Sequence, residues 1–207
     1  MAYDYVSSSR AIQTRLMAMG LMPHHLVMIG AFVTAYGLFE TTLERALWSL
    51  SGVPMEGKRP FTETMNASQQ FEMLGAGSPK LSDDCNAVLA VAACAARDLH
   101  EYRNSLVHGY LVSLGPGTVP SFMKNPHWFG ASGRRKAHGD AFIDEPYQDL
   151  VLVAAWNLFG VVRTVERAFK DPDAEQVIIG MKADVDRAKS YAGETRHRAA
   201  LANHEKS

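Results

Sequence analysis

Apolar residues that recur every three or four positions over many turns leave a chain few ways to fold, and this chain has two such stretches. From His24 to Leu50, Ile29, Phe32, Tyr36, Phe39, Leu43, Leu47 and Leu50 keep that spacing. From Leu81 onward, Val88, Ala92, Ala95, Leu99, Tyr102 and Leu106 do the same. An α-helix turns about 100° per residue, so each set forms one stripe that must pack against the rest of the chain. A third run starts at Pro146 and reaches about Lys170, with Val151, Ala154, Leu158, Val161 and Val165 in line and Leu152, Trp156 and Phe159 widening the stripe. A helix apolar around so much of its surface is buried on two sides. The fold class is all-α, an antiparallel helical bundle.

Shorter signals fill in the order. Ser7 to Ser9 cap a first helix through about Met19, and Gly20 and Pro23 separate it from the next. Residues 51 to 63 read as a loop, and a short helix spans Ala67 to Leu74. Ser82 is placed to cap the second long helix, with Asp83 and Asp84 in its first turn. After Gly109 the period changes. Tyr110 to Leu114, Val119 to Met123 and Ala141 to Ile143 predict a small β-hairpin excursion within an insertion over 110–145. From about 180 to 207 the chain is polar, with a helix from Met181 running into a frayed, charged tail. At 207 residues it is long enough for one well-buried domain and short for two.

Net charge is −1, so any nucleic acid would have to be met by a local patch rather than a global basic field. Arg134, Arg135 and Lys136 in the excursion form such a patch for RNA phosphates, and also read as a solvated basic loop. Cys85 and Cys94 lie nine residues apart in one helix, about 13 Å along its axis, too far to bridge. They read as free, buried thiols of a reducing cytosol. The first ten residues lack the pattern of a signal peptide, and the apolar run Leu150 to Val162 is too short to span a bilayer. The reading is a soluble cytoplasmic protein with no membrane partner. A di-iron bundle needs paired Glu-x-x-His motifs, and only Glu194-x-x-His197 matches, so no metal and no cofactor are expected.

The stretch richest in chemistry is Arg103-Asn104-Ser105-Leu106-Val107-His108-Gly109, at the end of the second long helix. Asn104 and His108, four residues apart, lie side by side, and Arg103 can swing toward them. His108 also sits at the negative end of the helix macrodipole. Gly109 supplies a stop. Arg97, His100, Asn104 and His108 fall roughly opposite the apolar stripe, with Ala90 and Ala93 earlier on that side. Small residues followed by Arg, His and Asn suit the close approach of another helix beside a polar pocket, from which we infer a second subunit. Glu40 lies at the edge of its own stripe, placed to meet a cation on a neighbouring helix.

Arg103-Asn104-x-x-x-His108 resembles the signature of the HEPN superfamily (higher eukaryotes and prokaryotes nucleotide-binding): an Arg, a polar residue directly after it, and a His a few residues on at the end of a long helix. Tyr36-Gly37-Leu38-Phe39-Glu40 is similar to the aromatic or Leu followed by Glu that the family often carries on its earlier helix. The resemblance covers roughly residues 24 to 170 and implies an all-α bundle. Many catalytic members are metal-independent endoribonucleases that act as homodimers over one RNA strand. Carried onto this chain, the resemblance implies that Arg103, Asn104 and His108 are catalytic, supported by Glu40, His100 and Arg97. It also implies the setting of a toxin with an antitoxin partner, or of a phage-defence effector. The alternative is a non-catalytic HEPN module that binds nucleotide, RNA or a partner protein.

Overall fold

The computed structural model describes residues 4–54, 61–113, 118–124, 140–171 and 173–205. The first helix, α1 (Tyr5–Ala18), begins where Asp4 Oδ1 accepts the backbone N–H groups of Val6 and Ser7, each at 3.1 Å. The cap is this carboxylate rather than a serine of Ser7 to Ser9, because Ser7 already lies in the first turn and donates its own hydroxyl to Asp4. In α2 (Pro23–Leu50), proline takes the first position, where a missing N–H costs nothing, and the Met22 N–H donates to His25 Nδ1 at 3.2 Å. A single turn of 3-10 helix (Phe61–Thr64) leads to α3 (Ala67–Ala76), closed by the reciprocal Asn66–Gln69 capping box. The motif helix, α4 (Asp83–His108), starts at Ser82 as its sequence predicts. The Ser82 hydroxyl accepts the Cys85 N–H and donates to the Glu175 carboxylate at 2.7 Å.

The remaining helices are α5 (Glu145–Val165), α6 (Ala174–Gly180) and α7 (Lys182–Glu205). Helix α5 ends five residues before the expected Lys170, where the chain turns toward α6. Helix α7 corrects the reading of a frayed tail. Val185, Ala188, Ala192, Thr195 and Ala199 are all buried at helical spacing and lie along α4 and α5. Its apolar face is built of alanine methyls, which register weakly as hydrophobic yet allow a close helix contact.

Four long helices make the bundle, but not all neighbours are antiparallel. His25 lies close to Asp144 and Glu145, while the Ser49 hydroxyl donates to the Glu166 carbonyl at 2.9 Å, so α2 and α5 run parallel. Helices α4 and α7 are parallel as well: Val88 and Val185 line one cleft, and Arg196 pairs with Asp98 at 2.9 Å about three turns further on. The Asn157 amide donates to the Asp184 carbonyl and Arg198 pairs with Asp144, which sets α5 antiparallel to α7. The reason is the count: consecutive long helices alternate in direction, so the first and third (α2 and α5) run parallel, as do the second and fourth (α4 and α7).

Between α4 and α5 lies a sheet of three strands, one more than a hairpin: β1 (Tyr110–Val112), β2 (Ser121–Met123) and β3 (Asp140–Phe142), antiparallel in the order β1-β2-β3. Leu111 faces Phe122, and Phe122 faces Ala141. The Tyr102 hydroxyl donates to the Phe142 carbonyl at 2.8 Å and ties the sheet to the end of the motif helix.

By length and composition, α2 and α5 are each apolar enough to cross a membrane, a property the run Leu150 to Val162 alone does not display. Helix α5 is packed among α2, α4, α6 and α7 but leaves Val153 and Trp156 exposed, the latter contrary to the expected wide buried stripe, and α2 leaves Val27, Val33 and Leu38 exposed. Both cysteines are free. Cys85 is buried, its thiol pushed up to about 11 by burial and then by Glu175; Cys94 is exposed, contrary to expectation.

Candidate functional site

Helix α4 delivers Arg103 and Asn104 to the place where α2 crosses it. One guanidinium nitrogen of Arg103 donates to Asn104 Oδ1 at 3.1 Å, and the other faces Glu40 Oε2 at 3.4 Å. The guanidinium carbon lies 6.0 Å from the centre of the Tyr36 ring. Beneath it the Tyr36 hydroxyl lies 3.1 Å from His100 Nδ1, and the His100 ring meets Phe71 edge-on at 5.6 Å. Phe71 in turn stacks on Phe39 at 6.3 Å. The cation therefore rests on an aromatic column that links α2, α3 and α4, which limits the directions its long side chain can take.

Burial raises the Glu40 carboxyl above its ordinary range, and Arg103 partly offsets the rise. Burial also pushes the Tyr36 hydroxyl well above its usual value, so the phenol stays neutral and can hydrogen bond with His100. His108 is exposed, one turn beyond Asn104, and its imidazole makes no hydrogen bond to a described residue.

Two expectations about the outer face of α4 are corrected. His100 does not point away from the core; it lies at the edge of the stripe, on the side where α3 packs. Ala93 is buried too. A Cβ built on Gly75 of α3 would come 3.1 Å from the Ala93 Cβ, so the helix admitted by these small residues is α3 of the same chain. Arg97 is exposed on α4 and forms no ion pair among the described residues. Arg134, Arg135 and Lys136 lie outside the described residues.

Gly109 ends α4 for a different reason from the one expected. Its φ of −79° is open to any residue, not left-handed. A side chain there would collide with the Ser105 carbonyl oxygen and come 3.1 Å and 3.2 Å from backbone atoms of Phe122 and Met123. The glycine is required by the close pass of β2.

Sequence reading missed Tyr36 as a neighbour of the cation, Phe71 as part of the column beneath it, and Gln70 as a wall of the cleft beside Glu40. The available signal was Tyr36 one turn before Glu40, which places both on the same face of α2. Gln70 and Phe71 belong to a cleft between α2 and α3 that also includes Glu40. Among the described residues no group of three or more His, Cys, Asp or Glu side chains is arranged to hold a metal ion. No family model, no curated protein and no solved structure matches the chain at a significant level.

Proposed function

We propose that the chain is a metal-independent endoribonuclease of the HEPN type, working as a homodimer. The observation that carries this reading is the holding of Arg103 between Glu40 and Asn104 while His108, one turn on, keeps an exposed imidazole. The ribose 2′-hydroxyl attacks the adjacent phosphorus, the 5′-oxygen leaves, and the products are a 2′,3′-cyclic phosphate and a 5′-hydroxyl. Arg103 presents its remaining N–H donors to the phosphate oxygens as charge builds on them. Asn104 orients the guanidinium and the scissile phosphate. His108 takes the proton of the 2′-hydroxyl, and His108 of a second copy gives one to the leaving oxygen across a twofold axis. Val33 and Val107, 40% and 47% exposed on the two helices that carry Glu40 and Arg103, supply an apolar rim for that second copy to cover.

The test is incubation of total RNA with the purified protein in EDTA, beside His108→Ala and Arg103→Ala, with sedimentation to give the oligomeric state. The reading expects a dimer whose cut ends in a 2′,3′-cyclic phosphate and is lost in both variants. A folded wild-type dimer that leaves RNA intact would move the chain to the non-catalytic binding class.

A further inference from the structure

Beside the Arg103–Glu40 pair, the groove between α2 and α3 opens into a cleft of about 530 Å³. Its floor is apolar and partly aromatic, formed by Leu43 and Phe71, each 1% exposed. Its walls are polar: Glu40, Thr41 and Glu44 from α2 face Gln70 from α3. A carboxylate only accepts hydrogen bonds and repels phosphate, so the group that enters must be uncharged or cationic and must carry N–H donors. Glu40 Oε2 is taken by Arg103, while no hydrogen bond from a described residue reaches Oε1. The Gln70 amide makes one long contact, 3.4 Å to the Met65 carbonyl. At the edge of this acceptor-lined cleft stands the one cation, Arg103, that the proposed function assigns to phosphate.

We infer that the cleft is a nucleobase subsite selective for guanine; the inference rests on the reading of Arg103 as the phosphate-holding group. A planar base enters between the walls of α2 and α3, with the buried Phe71 and Leu43 closing the floor beneath its edge, and its phosphate reaches Arg103. Guanine places N1–H and the N2 amine side by side, which matches the acceptors of Glu40, and its O6 suits the Gln70 amide N–H. Uracil offers a single N–H between two carbonyls, and those carbonyls would face carboxylates.

The experiment is calorimetric titration of the full-length chain with 5′-GMP, 5′-UMP, guanosine and a short lysine-rich peptide. The wild type, Gln70→Ala and Arg103→Ala are compared. Gln70→Ala removes a cleft wall without touching the ion pair, so a folded variant is expected. The inference requires GMP to bind at least tenfold tighter than UMP, and Gln70→Ala to weaken GMP and guanosine alike by several-fold. Arg103→Ala should remove the advantage of GMP over guanosine, so that this variant binds the two alike. Equal binding of GMP and UMP, no binding of either, or indifference to Gln70→Ala overturns it. Displacement of GMP by the peptide at lower concentration overturns it in favour of a basic protein partner. RNA cleavage with no base preference and no effect of Gln70→Ala would sink the subsite while sparing the nuclease. GMP binding without cleavage would do the reverse.

Discussion

Arg103 and Glu40 stand 3.4 Å apart on α4 and α2, yet the Glu40 carboxyl is held above its ordinary range, not below it. Burial outweighs the attraction of the guanidinium. The pair is therefore a positioning device for Arg103 more than a source of stability.

Glu40→Gln separates those two roles. A carboxyl with a raised folded pKa contributes stability that is present below its unfolded value near 4.5 and is lost as pH rises through the folded value. At pH 7 the glutamine variant should melt at the same temperature as the wild type or higher, and below about pH 4.5 the advantage should vanish. Under the proposed function, the RNA cleavage of this variant at pH 7 should nevertheless fall, because Arg103 loses a charged partner. A clear drop in melting temperature at pH 7 would show that the ion pair stabilises the fold.

His25 gives the chain a stability profile of the opposite sign. Burial, and next the charge of His24, hold its imidazole below the usual 6.5. As the pH falls below 6.5 the unfolded chain takes up a proton that the folded chain resists, so stability declines until the lower folded value is passed. The proton also removes the Nδ1 acceptor of the Met22 N–H. His25→Gln keeps an acceptor at the third helical position and should flatten the profile between pH 7.5 and 5.5. Urea midpoints at the two values decide it; an unchanged slope removes His25 from the account.

Two glycine substitutions should part company. Gly109→Ala forces a methyl into the Ser105 carbonyl and the backbone of β2, and should cost about 1–3 kcal/mol. A Cβ at Gly37 meets nothing within 4 Å, so Gly37→Ala within α2 should add about 0.5–1 kcal/mol. Denaturant unfolding of both variants measures the difference, and equal effects would contradict the close pass of β2.

The last helix should prove structural. Ala192 is 0% exposed, so Ala192→Asp buries a carboxylate against α4 and α5 and should cost about 3 kcal/mol or more. Lys189→Ala, on the exposed side of the same helix, should stay within about 0.5 kcal/mol. Thermal melts of the pair test it; a native-like Ala192→Asp would return α7 to the reading of a tail.

The long helices were legible because Phe32, Tyr36, Phe39 and Leu43 repeat on one face, and a period of that length has one regular solution. Ser82 was informative for a local reason, since a cap acts within its own turn. What escaped the sequence was pairwise. Periodicity says that a face is covered but not by which helix, so Ala93 suggested a second copy when α3 covers it. The contact of α2 with α5, the next long helix but one, is a choice of neighbour that no single helix encodes. The start of α7 was read near Met181, but its packed face escaped because Ala188, Ala192 and Ala199 carry their packing in small methyl groups among charged neighbours. At the site, Arg103, Asn104 and Glu40 come together as the motif suggests, while the supporting place of Tyr36 and Phe71 emerges only where three helices meet.

The helix that carries the motif leans on α7 along much of its length, and its cap is clasped by Glu175 of α6. A ribosome releases residues 83–108 well before either of those helices exists. Every side chain of the motif is therefore made while the stripe through Val88, Ala92 and Leu99 still lacks its cover. A nascent chain stopped before Lys182 already holds the residues of α2 and α4 that meet Arg103, but not the helix that packs along the back of α4. The order of translation thus delivers the parts of the site first and the packing behind the motif helix last.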